Sequence, residues 1–507
     1  MQNSILSSTI KVTIAMFAIK ALGFVKQIIL AAVYGTTAQM DAYFIATSVL
    51  TALGTIIFSS ISISLLSMYT EKSVYDGKNA ASSLVSDVLK IFLPFAAIVS
   101  FLFFVGSPLI AKLLAPTYEG EQMALLSHYI KVMAPSFLFV CYQLILNTVL
   151  ESHKHFLPGK CLTLFQNLFV IILALVFSNA SNIDSLVYAF LAAGIVQCVL
   201  VTFCSKSYFT FKWRFSPENK KQIKKLFFLS LPLLVGNAVY EVNDIVGKQI
   251  ASGLYAGGVS VLSYGASLNE IVTTVLIGSV STVLFSHFAT WAAEKNIDKI
   301  NGCLKSSSAI LIVLVLPLSV ICALCGQDIV ALVYGRGSFT DAAVTATKGV
   351  LIGYAVGFVF QALRSNFSKV FYAFKDTRTP MINGIISVVI NIALSFLFST
   401  FMDSAGIALA TSLAMAITTV LLYIKLKKHI EGFSFSGIWG EIFKALIASA
   451  AVGGVIVLLQ ALLSLPTILM LLLEVAVALL LYILLMAAMR SKTLKDLVSY
   501  LPKRRKA

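Results

Sequence analysis

Apolar runs of about 20 residues recur along this 507-residue chain, and no other feature restricts its fold as strongly. A run of that length spans the ~30 Å hydrocarbon core of a bilayer when it forms a helix. Only 12% of the residues are charged, whereas a soluble domain has about a quarter. The sequence therefore predicts an all-α polytopic membrane protein.

Polar breaks divide the runs into fourteen predicted transmembrane helices. The division between the last two is the weakest, because only Pro466 and a few polar residues separate them. The predicted spans lie at residues 7–34, 40–68, 84–113, 122–152, 161–180, 184–205, 223–251, 257–290, 303–334, 343–373, 380–400, 404–427, 439–463 and 466–489.

Basic residues are divided unequally between the two sets of connections. One set, together with the C-terminal tail, holds 26 Lys and Arg residues, whereas the other holds only Lys112 and Arg336. Cytoplasmic connections carry such an excess, so both termini are predicted to be cytoplasmic. We expect the basic tail and residues 206–225 to contact anionic lipid headgroups, and we expect no nucleic-acid partner.

The two halves of the chain resemble each other weakly. KQIILAAVYG begins at Lys26, and KQIASGLYAG begins at Lys248, each near the end of the first helix of its half. This repeat predicts two six-helix lobes, arranged as parallel repeats, followed by two C-terminal helices. The predicted domains are the N-lobe at 1–208, a basic cytoplasmic linker at 209–222, the C-lobe at 223–428, and helices 13 and 14 with the tail at 429–507.

Motifs for catalysis and for ATP use are absent from the sequence. It contains no GxxxxGK[ST] phosphate-binding loop, and its five histidines have no metal-binding spacing. Cys322 and Cys325 form a lone CxxC inside an apolar run, where packing is a better explanation than metal or redox work. We therefore expect no enzyme activity, no cofactor and no metal site.

Ionisable residues inside the predicted spans are the candidates for function, because a charge at bilayer depth costs ~2.5–3.5 kcal/mol. Lys20 lies too deep in the first helix to reach the membrane surface easily, and it shares a helical stripe with Gly23 and Gln27. Lys26 is displaced from Lys20 by ~120°, so only a broad cavity receives both lysines. The alternative for each is snorkelling or a structural ion pair.

The second half of the chain contributes further cations. Arg364 and Lys369 lie on a polar face of the tenth helix, and Lys248 lies near the end of the seventh. Glu241 and Asp244 are acids that can pair with some of these cations. A cavity with several cations and few acids suits an anionic substrate, because phosphate and pyrophosphate bind Lys and Arg by charge and hydrogen bonds.

Four stretches of the chain look familiar: ALGFVKQ at 21–27, YGTTAQMDAYFIA at 34–46, VYGRGSFTDAAV at 333–344 and FYAFKDTRTP at 371–380. They resemble the MurJ/MviN family of lipid II flippases, part of the multidrug/oligosaccharidyl-lipid/polysaccharide exporter superfamily. The resemblance covers the whole chain in order. It implies two six-helix lobes around a cationic cavity, with helices 13 and 14 forming a groove for a polyprenyl tail.

The resemblance also bears on single residues. Lys20 and Lys26 stand where the family has two arginines, and Asp41 matches its aspartate in helix 2. Lys369 lies where many members have a basic residue, whereas Ser267 stands at an expected arginine in helix 8, and helix 2 lacks another arginine. The predicted substrate-binding residues are Lys20, Lys26, Asp41, Lys248, Arg364 and Lys369.

The resemblance implies a flippase that moves an undecaprenyl-pyrophosphate-linked saccharide, with lipid II as the expected substrate. Transport would run from the inner to the outer leaflet of the bacterial cytoplasmic membrane by alternating access. The alternatives are a flippase for another lipid-linked oligosaccharide of capsule or exopolysaccharide, a multidrug antiporter, and a scaffold without transport. We expect a monomer whose partners are the lipid-linked substrate and membrane lipids; the coupling ion stays open.

Overall fold

The computed structural model describes residues 2–177, 183–430 and 438–500. Within these ranges helix is the only regular secondary structure, which confirms the predicted all-α class. The last part of the predicted basic tail, 501–507, and most of the connection before helix 13, 431–437, lie outside the described residues.

The helices of the first half begin and end close to the predicted spans. A π-helical segment, Thr55–Ser59, joins α2 to α3, and Gly106 separates α4 from α5. The helices are α1 (Gln2–Tyr34), α2 (Ala38–Gly54), α3 (Ser60–Tyr75), α4 (Lys78–Val105), α5 (Ser107–Leu114), α6 (Gly120–Met133), α7 (Ser136–Ser152), α8 (Phe156–Val176), α9 (Asp184–Ser205) and α10 (Asn219–Ser252).

The second half also consists of long helices with one π-helical segment among them. A π-helical segment, Val272–Gly278, joins its first two helices, and its last helix lies in the tail, where the sequence predicted none. The helices are α11 (Gly258–Ile271), α12 (Ser279–Ala293), α13 (Ile297–Leu324), α14 (Gly326–Tyr334), α15 (Asp341–Ala355), α16 (Phe358–Ala373), α17 (Arg378–His429), α18 (Trp439–Leu462), α19 (Thr467–Ala488) and α20 (Lys492–Tyr500).

The helices are long and apolar enough for a polytopic membrane protein. In the described residues eleven helices could cross a membrane, or twelve when α15 and α16, bent by 42°, count as one span. Non-helical dihedrals at Asp403 (φ 50°, ψ −140°) divide the 52 residues of α17 into two helices, at the break that the sequence predicts between 400 and 404. The exact number of fourteen stays a prediction.

The chain divides into two compact units. The first consists of the described residues up to Ser260 together with Gly337–Phe339. The second consists of Val261–Arg336 and the described residues from Thr340 onward. The predicted lobe limits at 208 and 223 stay predictions.

In the first unit, the loop before α10 is tied to the ends of α3 and α4. Asp87 is fully buried and accepts hydrogen bonds from Asn219 Nδ2 at 2.7 Å and from the Ser216 backbone N–H at 3.1 Å. Lys72 Nζ donates to Asn219 Oδ1 at 2.9 Å, and Lys90 pairs with Asp87 at 2.8 Å. Each buried charge of this network thus has a hydrogen-bond partner, as burial requires.

In the second unit, small residues bring the backbones of α15 and α17 together. A Cβ added at Gly353 would lie 2.9 Å from both the Ala405 carbonyl oxygen and the Ala408 Cβ. Ser412 Oγ donates to the carbonyl oxygens of Gly353, at 2.6 Å, and Tyr354, at 3.2 Å. A side chain inserted into a helical hydrogen-bond ladder is a recognised cause of a kink, and it accounts for the bend that follows α15.

The C-terminal helices pack as a hairpin against α13. Tyr482 on α19 donates its hydroxyl to the Val313 carbonyl oxygen at 2.8 Å. Glu441, in the first turn of α18, accepts hydrogen bonds from Ser491 Oγ and from the Lys492 backbone N–H at 3.2 Å. Glu441 therefore caps the start of α20 and holds that helix to the hairpin.

Candidate functional site

The first group of predicted site residues lies on α1, which packs along α8 in the first unit. Lys20 is exposed and Lys26 is half-buried. Gly23 approaches α8 closely, because a Cβ added there would lie 3.3 Å from Asn167 Nδ2. Within the described residues Gln27 Oε1 is buried without a hydrogen-bond partner. The predicted stripe thus contains an acceptor that a ligand or water can satisfy.

Asp41 lies at the start of α2 and is fully buried. Its Oδ2 accepts a hydrogen bond from the Gly257 backbone N–H at 2.6 Å, and its Oδ1 accepts bonds from the Ser260 N–H and Oγ at 2.7 and 2.5 Å. These bonds satisfy backbone groups at the start of α11, as an N-terminal cap does. The structure shows Asp41 as the cap of α11. Its contact with substrate stays a prediction.

Lys248, near the end of α10, is paired with an acid of its own helix. Its Nζ lies 2.7 Å from Asp244 Oδ2, one turn earlier, with 15% of the lysine side chain exposed. Sequence analysis gave a structural ion pair as the alternative to substrate binding for each lysine inside a span, and Lys248 forms such a pair. Since Asp244 offsets its charge, Lys248 is the weakest of the predicted anion ligands, and its substrate contact stays a prediction.

Arg364 lies on α16 in the second unit and is buried. Its Nε donates to Asn383 Oδ1 at 3.3 Å, and its Nη1 contacts Met415 Sδ at 3.0 Å. It forms no ion pair with any residue that the structure describes. A guanidinium has five N–H donors, so this buried charge retains capacity for an anion.

Lys369 lies half-buried on the same helix, nearer its end. Its Nζ is 5.3 Å from the centre of the Phe285 ring, a cation–π distance. A cation over an aromatic face keeps its charge and stays available to an anion, because the ring supplies no negative group. α16 therefore carries two cations, as the sequence predicts.

The motif VYGRGSF contributes to packing in the first unit. Gly337 has φ 61°, and a Cβ there would collide with the Ala32 carbonyl oxygen at the end of α1. Ser338 donates from its backbone N–H to the Ala32 oxygen and from Oγ to the Val33 oxygen, both at 2.8 Å. Glycine is needed here because a left-handed backbone meets another backbone at close range.

The structure shows partners that the sequence did not reveal. Asn167 and Asn383 come from helices whose pattern is mainly apolar, and each contacts a predicted site helix. Their signal in the sequence is an uncharged amide inside a mainly apolar run, which is weaker than the signal of a charge. Among the described residues no three His, Cys, Asp or Glu side chains form a group that could hold a metal ion.

An apolar groove lies in the second unit between α13, α16 and α18. Its volume is about 400 Å³, and its lining is almost entirely aliphatic and aromatic. The lining residues include Leu316, Val359, Phe360, Ile442 and Leu446. A groove of this chemistry accepts a hydrocarbon chain and excludes a charged headgroup.

Comparison of the chain with known proteins identifies its family. The family model for lipid II flippase MurJ matches residues 30–478. Chains named "Probable lipid II flippase MurJ" are similar in Treponema pallidum (24% identity; 84% of this chain and 82% of that one) and Rhizobium tropici (27%; 86% and 84%). The chain of that name from Thermotoga maritima is 25% identical, covering 90% of this chain and 91% of its own length.

Solved structures agree in fold. "Lipid II flippase MurJ, inward closed conformation" aligns with a TM-score of 0.82 at 23% identity, covering 96% of this chain and all of that one. An inward-facing MATE family multidrug transporter of the MOP superfamily aligns at 0.71 and 13% identity, covering 82% of this chain and 98% of that one. Because the family model matches most of its length, the chain belongs to the MurJ family of lipid II flippases.

Proposed function

We propose that the chain is a flippase that moves lipid II from the inner to the outer leaflet of the bacterial cytoplasmic membrane. The observation that carries this proposal is the family match over residues 30–478. A polar headgroup cannot cross ~30 Å of hydrocarbon without a polar path through protein. The protein supplies that path by alternating access, and it changes the position of the lipid rather than its covalent structure.

We further propose fourteen transmembrane helices in two six-helix lobes, with two helices after them. Support comes from the eleven candidate spans, from the bent pair α15 and α16, and from the break at Asp403. The segment formed by α11 and α12 supplies the remaining span. The excess of 26 basic residues over two favours both termini in the cytoplasm, and we propose that the protein acts as a monomer.

The diphosphate of the headgroup is bound, in this proposal, by Lys20 and Lys26 of α1 and by Arg364 and Lys369 of α16. Lysine attracts phosphate as a point charge, and arginine adds paired hydrogen bonds in a fixed geometry. The buried Arg364 supports this role because its described contacts leave donors unused. Asp41 and Lys248 belong to the same predicted set, although Asp41 also caps a helix and Lys248 is paired with Asp244.

The polyprenyl tail stays in an apolar environment throughout the proposed cycle. The groove of about 400 Å³ beside α18 supports this, since it offers aliphatic and aromatic contacts. The energy for transport comes from the membrane potential, an ion gradient or consumption of the product, because the sequence lacks an ATP-binding loop. The membrane potential supplies ~2.3 kcal/mol per charge per 100 mV, which acts directly on a charged headgroup or its counter-ion.

The deciding experiment is complementation. The essential lipid II flippase of a bacterial host is depleted while this chain is expressed, and lipid II in the outer leaflet is measured. We expect rescue by the wild-type chain and a loss of roughly tenfold or more with Lys20→Ala, since a lost charged hydrogen bond is worth ~1.5–3 kcal/mol. Failure to rescue at normal expression would overturn the proposal.

Lys131→Ala is the matched control for Lys20→Ala. Lys131 is an exposed lysine of the same unit, and its Nζ lies 4.8 Å from the Phe104 ring centre. We place it outside the headgroup site, so Lys131→Ala should keep wild-type rescue. Equal transport by both variants, with equal amounts in the membrane, would remove Lys20 from the headgroup site.

A second candidate function is transport of another lipid-linked oligosaccharide. Ser267 stands at an arginine that the family resemblance leads one to expect, and helix 2 lacks another. A site with fewer cations than the family resemblance implies suits a headgroup whose charge or size differs from that of lipid II. Rescue of capsule or exopolysaccharide export, without rescue of lipid II transport, would select this alternative.

A further inference from the structure

Arg364 is a buried cation whose neighbours are neutral. It is 9% exposed, and its contacts among the described residues are the Asn383 amide oxygen and the Met415 sulfur. Its own helix, α16, contains no acidic residue, and the single acid of α17 is Asp403. Asp403 precedes Met415 by ~18 Å along the helix axis. The neighbours of Arg364 therefore orient its charge without neutralising it.

Asn383, in the part of α17 before its break, can present only its oxygen to Arg364. Its Nδ2 donates to the Thr418 carbonyl oxygen at 2.9 Å. A carbonyl oxygen accepts hydrogen bonds and cannot donate them, so this contact fixes which end of the amide faces Thr418. The other end, Oδ1, accepts from Arg364 Nε at 3.3 Å. Asn383 is buried, so neither end of its amide can turn to bulk water instead.

The backbone that fixes Asn383 is itself attached to α16. Thr418 and Thr419 are both buried. Thr419 Oγ1 donates to the Phe360 carbonyl oxygen at 3.0 Å, and Phe360 lies one turn before Arg364 on α16. The part of α17 after its break is thus bonded to α16 beside Arg364. Asn383 adds a contact to the same guanidinium from the other part of α17.

The two contacts of the guanidinium differ in strength. Nε donates to an amide oxygen, whereas Nη1 contacts Met415 Sδ at 3.0 Å, and a thioether sulfur is a weak acceptor. Met415 is half-buried, so the guanidinium is less enclosed on this side than on the side of Asn383. The Nη atoms carry the remaining N–H donors, and pairs of such donors match the oxygens of a phosphoryl group.

We propose that Asn383 is a positioning residue for Arg364 in headgroup binding. Its oxygen fixes the guanidinium through Nε, so that the Nη groups meet the diphosphate of the lipid-linked substrate. Because Asn383 is an amide, the charge of Arg364 stays available; a carboxylate at this position would form a buried ion pair with which the diphosphate must compete. This inference rests on the proposed binding of the diphosphate by Arg364.

Two substitutions of Asn383 separate positioning from packing. N383D keeps an acceptor beside Arg364 but neutralises its charge, whereas N383L keeps the charge and removes the acceptor. Each full-length variant is purified into nanodiscs of phosphatidylethanolamine and phosphatidylglycerol, and its affinity for fluorescently labelled lipid II is measured. We expect N383D to lose roughly tenfold or more in affinity, and N383L to lose about threefold.

Thermal unfolding of the same samples should give the opposite order. N383L loses both the bond to Arg364 and the bond to the Thr418 carbonyl oxygen, whereas N383D keeps the first of these. N383L should therefore unfold at a lower temperature than N383D. A residue that only packs α17 against α16 would make N383L the weaker variant in affinity as well as in stability. That result would overturn the proposal.

A double variant tests whether Asn383 acts through Arg364, and it does not depend on the folding of N383D. In an R364Q background, N383L should cause no further loss of lipid II affinity, because the group that Asn383 positions is absent. Effects of residues that act independently add, whereas those of residues in one network do not. Additive losses would overturn the proposal.

N296D is the matched control, because it adds the same charge elsewhere in the second unit. Asn296 caps α13 by accepting a hydrogen bond from the Lys299 backbone N–H at 3.1 Å, and aspartate is an equally good cap. N296D should bind lipid II as the wild type does, and a loss equal to that of N383D would overturn the assignment to Asn383. Equal binding by the wild type and N383D would reject the positioning role alone, whereas a wild type that binds no lipid II would reject the proposed function itself.

Discussion

At the scale of single residues, the polar side chains of the membrane helices differ in what already surrounds them. Asp41 has three hydrogen bonds to one short segment of backbone, and Lys248 has an acid one turn away. Arg364 has two weak neutral partners among the described residues. Asp41 and Lys248 therefore stabilise the fold, whereas Arg364 has donors left for a ligand.

Asp41→Asn tests the packing role of that carboxylate. Asparagine keeps one acceptor oxygen but turns an NH₂ group toward the donors at Gly257 or Ser260, so at least one bond is lost. We expect the free energy of unfolding to fall by ~1–3 kcal/mol, measured as thermal stability in detergent. Asp76→Asn is the control, because Asp76 is exposed. Equal stability of the two variants would contradict the capping role.

At the scale of the element, the lengths of the apolar runs predicted most helices of the fold, but they did not predict where the helices bend. The sequence predicts α9 at 184–205, and the structure has Asp184–Ser205, because polar residues bound a run of the right length. The break between α15 and α16 escaped prediction, since its cause is Ser412 of another helix. The cap on α11 escaped for the same reason: Asp41 and its partner Ser260 are 219 residues apart.

The close contact of α15 with α17 gives a prediction at the scale of the element. Gly353→Val places a branched side chain against the backbone of Ala405, where no atom can move aside cheaply. We expect a loss of ~3 kcal/mol or more, beyond the usual cost of overpacking. The loss is measured as thermal stability, with size-exclusion chromatography reporting how much folded protein remains after heating.

Gly454→Val is the matched control, since it makes the same substitution in a helix of the same unit. An added Cβ at Gly454 has nothing within 4 Å in the structure. It should therefore leave stability within ~0.5 kcal/mol of the wild type, as open surface positions do. A similar loss in both variants would mean that valine itself, rather than the helix contact, is responsible.

At the scale of the whole molecule, composition and the placement of charge predicted the class, and the weak internal repeat predicted two lobes whose limits stay predictions. A mainly apolar chain with an excess of basic residues in one set of connections predicts many crossing helices and an orientation. The individual candidate cations were predicted from their depth in the spans. The neighbours of Arg364 and Lys369 were not predicted, because Asn383 and Phe285 approach these two cations only after distant helices have packed.

The orientation can be tested with reporter fusions. Green fluorescent protein at the C-terminus should fluoresce, because it folds in the cytoplasm, and alkaline phosphatase placed after residue 117 should be active, because that connection has only one basic residue, Lys112. The control exchanges the two reporters. Alkaline phosphatase at the C-terminus should then be inactive, and green fluorescent protein after residue 117 should not fluoresce. Activity of the reversed pair would invert the proposed topology.

Charged residues of two kinds surround the loop before α10. Asp87, Lys72 and Lys90 satisfy one another or amide groups at short range, whereas Lys220 and Lys224 next to them are exposed. Salt screens charges in water over ~8–10 Å but acts weakly on buried pairs. We therefore expect ionic strength to change how firmly this face binds the anionic bilayer that the sequence predicts beside it, while the buried hydrogen bonds of the loop stay unaltered.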